Sequence, residues 1–134
     1  MRKSGLLAVM TAMLLSAAAV PALAHHAFSA EFDQAKPLKL SGEISRVEWV
    51  NPHAWIFIDV KGADGKVSPW RFEMGAPNAL LRAGWSKADI KVGTPVTISG
   101  FQARSGGQVG NAFQVRLPDG RDLFAASSLK DAQK

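Results

Sequence analysis

An all-β domain with one short helix is the fold class that this sequence predicts, and three patterns carry the expectation. Apolar and polar residues alternate in several short runs, glycine-rich turns separate those runs, and a single segment changes to a helical period. In the first run Leu38, Leu40, Gly42 and Ile44 share one parity, whereas Val47 and Trp49 hold the other. One extra residue near Ser45-Arg46 would keep both groups on the inner side, so a β-bulge is expected there, with the added twist that helps a small sheet curl.

Ala54, Ile56, Ile58 and Val60 alternate as a second strand, and Gly62-Ala63-Asp64-Gly65 supplies a hairpin loop. A third strand follows, with Trp70, Phe72 and Met74 inward and Arg71 and Glu73 outward. Pro77 then opens a helix of about two turns, Leu80, Leu81 and Trp85 form its apolar stripe, and Gly84 suits a left-handed stop. Gly93-Thr94-Pro95 turns the chain into a fourth strand with Val96, Ile98 and Gly100. Ser105-Gly106-Gly107 leads to a fifth with Phe113, Val115 and Leu117, and after Pro118-Asp119-Gly120 the pair Leu123-Phe124 adds a short edge strand. Three strands, a helix between strands three and four, and two or three further strands is the order of an OB-like Greek-key barrel of five to six strands. An open β-sandwich is the alternative. The helix favours the barrel, because it can plug one open end.

The chain starts Met1-Arg2-Lys3, continues with an apolar run from Leu6 to Val20 and reaches Ala22-Leu23-Ala24, the form of a secretory signal peptide cut after Ala24. The expected divisions are therefore a signal peptide over 1–24, an arm over 25–37 that Phe28 and Phe32 could pin, the β domain over 38–126 and a flexible tail over 127–134. The expected location is the periplasm, with no membrane anchor left after cleavage. The chain has no cysteine, so neither a disulfide nor a lipid-modified amino terminus is available to it. Loss of Arg2 and Lys3 takes two from the formal charge of +5, and no run of Lys and Arg concentrates what remains. Nucleic acid is therefore not an expected partner.

His25-His26-Ala27-Phe28 with Phe32-Asp33, Gly42-Glu43-Ile44 leading to Trp49-Val50-Asn51-Pro52-His53, then Trp70, Leu81 to Trp85, Val92-Gly93 and Asp119-Gly120-Arg121, together resemble a family of short exported bacterial proteins of unknown function. The resemblance spans nearly all of residues 25–124 and is carried by the paired histidines and the Asn-Pro-His tripeptide. It implies export and a small β-rich barrel, and it implies no activity. Thr94 departs from it, standing where an acidic residue is expected.

Two constellations carry chemistry. A processed amino-terminal His25 offers its α-amine and imidazole to one metal ion, and His53 or His26 would complete a three-nitrogen set suited to copper, with Met74 or Glu73 as a weaker ligand. Cleavage before Ala24 would instead put a histidine third, a chelating order for square-planar Cu(II) or Ni(II). The plain reading is that His25 and His26 are solvated and that His53 caps a turn. Copper is the cofactor these nitrogens would take, if they take one. In the second constellation Trp55 and Phe57 stand opposite Ile56 and Ile58, so both faces of that strand are apolar. With Arg71 they would form a stacking platform for a protein, peptide or small ligand; the plain reading is that the arm with Phe28 and Phe32 folds over them.

No nucleophile elbow, phosphate loop, dinucleotide fingerprint or metalloprotease spacing occurs, and Glu43, Glu48, Asp59 and Asp64 read as scattered, solvated carboxylates. The expected function is a non-catalytic binding protein, with a brace-type copper oxidase as the enzymatic rival.

Overall fold

The structure, a computed structural model, describes residues 28–126. The chain divides between Glu31 and Phe32 into two units. Of the first, residues 28–31 are described and form a helical turn. The expected signal peptide, His25, His26 and the tail from Ser127 lie outside the described residues. No helix among the described residues is long and apolar enough to cross a membrane.

The second unit is a mostly antiparallel six-stranded sheet with one small helix: β1 (Phe32–Glu48), β2 (Trp55–Lys61), β3 (Val67–Glu73), α1 (Pro77–Arg82), β4 (Pro95–Ala103), β5 (Val109–Arg116) and β6 (Asp122–Phe124). The strands lie in the order β3-β2-β1-β4-β5-β6, and β3 pairs in addition with β5, in parallel, through Arg71 to Glu73. Pairing thus runs from β1 through β2, β3, β5 and β4 back to β1.

The parity break in β1 is a bulge. Ile44 pairs with Ile58 and Arg46 with Phe57, so Ser45 is the extra residue. Ile44 is buried before it and Val47 packs on the core after it. β1 also begins earlier than its alternation suggests, at Phe32, which is buried and pairs with Ala103. The pairing shifts between Asp33 and Pro37, and that irregularity hides the first strand residues from a period-two reading.

A second bulge was not visible in the sequence. Ser99 pairs with Gln114 and Gly100 with Ala112, which leaves Phe113 as the extra residue in β5. Ala112, Val115 and Leu117 are therefore buried, whereas Phe113, expected inward with Val115, is partly exposed and packs its ring against Phe101. Gly42 and Gly100 mark close crossings: a Cβ on Gly42 would meet the Asp59 carbonyl oxygen at 2.5 Å, and one on Gly100 would overlap the Asn111 carbonyl.

The helix is shorter in effect than its stripe implied. Leu80 is fully buried, but Leu81 is 48% exposed, since neighbours on a helix point about 100° apart and six residues bury one face. Gly84 takes the expected positive φ, after which Trp85 turns back to bury its indole, and Nε1 donates to the Phe124 carbonyl at 2.7 Å. The core gathers Ile44, Ile56, Ile58, Phe72 and Ile98 from the inner faces of β1 to β4, with Met74 just after β3.

Candidate functional site

Strands β1, β2 and β3 bring Trp55, Phe57 and Arg71 together on their outer face. Register places Glu48, Trp55 and Glu73 in one row across the three strands, and Arg46, Phe57 and Arg71 in the next. Residues paired in this way share a face. The bulge at Ser45 is the cause, because without it Arg46 and Glu48 would keep the inward parity of Ile44.

Trp55 and Phe57 are half-buried, and each lies under a guanidinium. Arg71 Cζ is 5.4 Å from the Trp55 ring centre and Arg46 Cζ is 3.9 Å from that of Phe57, both within cation–π range. Arg46 also reaches Glu48 at 3.1 Å. Sequence reading named Trp55, Phe57 and Arg71 and missed Arg46, whose nearness to Phe57 depends on the register between two strands. The parity break at Ser45 was the one signal that could have found it.

His53 stands just before β2, beyond the cis Asn51–Pro52 peptide, at the end of this face. Its flanking backbone is tied to the end of β3: Ala54 N–H donates to the Gly75 carbonyl and Met74 N–H donates to the Ala54 carbonyl. That link brings His53 Nδ1 to 2.7 Å from Glu73 Oε1. Nδ1 is closed off from solvent and makes no aligned hydrogen bond, so the approach is a close contact made off the axis of the ring nitrogen. The ring as a whole is 39% exposed, and that exposure lies away from Nδ1.

Glu73 therefore touches the imidazole itself. Met74, named as a weaker ligand, is fully buried in the core, where its thioether cannot meet a solvent-borne ion. Among the described residues no group of three or more His, Asp or Glu side chains could hold a metal. His25 and His26, the other expected ligands, lie outside the described residues.

Residues 12–112 match the model of a family of unknown function, DUF6152. The chain belongs to that family. The match starts inside the expected signal peptide and covers β1 to β3, α1, β4 and the start of β5. No curated protein and no solved structure matches the chain.

Proposed function

We propose that this member of DUF6152 is an exported binding module, built as an OB-type Greek-key barrel and with no catalytic step of its own, whose cargo is a copper ion held by His25, His26 and His53. The ring of pairings through β1, β2, β3, β5 and β4, with α1 between β3 and β4, supports the barrel. The signal-like start of the sequence supports export. The observation that carries the metal reading is the Glu73 carboxylate 2.7 Å from His53 Nδ1. Metal-binding imidazoles commonly have a carboxylate beside the nitrogen that does not bind, and Glu73 stands beside Nδ1 without an aligned hydrogen bond.

Mass spectrometry of the exported protein fixes the first residue, and calorimetric titration with Cu(II) then compares three proteins: the processed form, a form with one residue added before His25, and His53→Ala. Both changes are expected to weaken binding. Equal affinity in all three defeats the reading.

A second reading rests on the paired guanidinium-over-ring contacts at Trp55 and Phe57, which suit a planar anionic ligand or an acidic aromatic peptide. Titration with 1-naphthoate, followed through the Trp55 indole N–H resonance, tests it. A saturable shift lost in Arg71→Ala is the expected result, and an unmoved resonance removes it.

A further inference from the structure

Farther along the same outer face, where Glu43 and Asp59 pair in the row beyond Arg46 and Phe57, lies a cavity of about 760 Å³, lined by β1, β2, the starts of β3 and β4, the end of β5 and the turn after it. Its size falls within the range of small-molecule sites. Its walls are apolar at Val67, Pro95, Val96, Leu117 and Pro118. Val67 is 58% exposed and so open to a ligand's apolar body.

Charge in the cavity is unevenly matched. Glu43 and Asp59 are direct register partners, so two carboxylates stand side by side, an arrangement that destabilises a bare sheet. Neither forms an ion pair among the described residues. Arg116 also lines the cavity, but its guanidinium is committed to Asp122 through two hydrogen bonds of 2.7 Å. Among the lining residues Lys61 is the one cation left beside two carboxylates, while Arg46 and Arg71 in the adjacent row lie over Phe57 and Trp55. A bare metal ion does not fit: no group of three ligating side chains is present among the described residues, and the apolar walls would contribute nothing to it.

We propose that this cavity binds a small organic cation, an ammonium group carried on a compact apolar body. The ammonium meets Glu43 and Asp59 and relieves their repulsion; the body covers Val67 and lies against Leu117.

The test is a titration of the isotope-labelled, full exported chain with phenethylamine, followed by amide chemical shifts, beside the neutral 2-phenylethanol and the anionic 3-phenylpropionate. Phenethylamine is expected to shift the amides of Glu43, Asp59, Val67 and Leu117 saturably, and the two control probes to bind far more weakly. The double variant Glu43→Gln/Asp59→Asn should fold at least as well, because it removes like charges, and should bind phenethylamine about tenfold more weakly. Val67→Ser should lower affinity for phenethylamine and leave that for methylamine unchanged. Absence of saturable shifts at these residues, equal binding of the alcohol, preference for the carboxylate, or unaltered affinity in the double variant would each overturn the proposal.

Discussion

Single side chains bind the ends of this sheet together, and two of them give measurable consequences. The Trp85 indole is buried and donates to the backbone of β6, a strand of three residues otherwise paired with β5 alone in the sheet. Trp85→Phe keeps most of the ring volume but leaves the Phe124 carbonyl without this donor, so a loss of about 1–3 kcal/mol is expected in urea unfolding followed by circular dichroism. An unchanged midpoint would show that water replaces the indole. At the exposed end of the same hairpin, hydrogen bonds from Arg116 hold the Asp122 carboxyl below the usual carboxylate range, and the Arg121 backbone N–H, followed by its side chain, does so for Asp119. A depressed carboxylate contributes stability above its unfolded-state pKa and loses it as pH falls through the folded-state value. Asp122→Asn should therefore flatten the fall in stability below about pH 4, most visibly at low salt, and leave the pH 7 to 8 slope unchanged. Unfolding midpoints across that acid range check it; an identical acid limb in variant and parent would contradict the assignment.

At the scale of elements, β1 decides what the other strands can present. Ser45 turns Arg46 and Glu48 outward, and Gly42 admits the backbone of β2 across its own inner side. Gly42→Ala would press a Cβ onto the Asp59 carbonyl, a backbone atom that cannot swing away. A loss of about 1–3 kcal/mol is expected, together with shifted amide resonances in β2. Gly62→Ala is the control, because the atom its Cβ would meet at 2.8 Å belongs to the flexible Asp64 side chain. Similar losses in both variants would mean that the crossing at Gly42 is not tight in solution. Beyond α1 the chain is fastened by Ile44 N–H to the Thr94 carbonyl and by Gly93 N–H to the Ile44 carbonyl, the second at 2.7 Å. Thr94, which departs from the family resemblance, makes this contact through its backbone carbonyl.

For the whole molecule, the guanidinium-covered rings of Trp55 and Phe57 and the cavity beside Glu43 occupy successive rows of one outer face. The copper reading has a consequence at this scale. An ion held jointly by the processed terminus and by His53 on the sheet binds the folded chain far better than the unfolded one, so saturating copper should raise the melting temperature. At a hundredfold excess over the dissociation constant the stabilisation is about 2.7 kcal/mol. Chelator and His53→Ala should each abolish the rise, and a melting temperature indifferent to copper would count against a shared site.

Local physics made much of this protein legible in its sequence. The two-residue period of a pleated strand assigned Ile56, Ile58, Phe72 and Met74 to the core, and a broken period located the bulge at Ser45. Glycine placed the turns at Gly65, Gly84, Gly93, Gly106, Gly107 and Gly120, because each takes a positive φ that side chains disfavour. Periodicity tells which face a residue occupies but not which distant residue lies beside it. That choice is made by register between strands far apart in the chain, and only the tertiary structure sets it. Register puts Arg46 over Phe57, brings Glu73 to His53, displaces Phe113 into a bulge and stands Glu43, read along the chain as one scattered carboxylate, directly against Asp59.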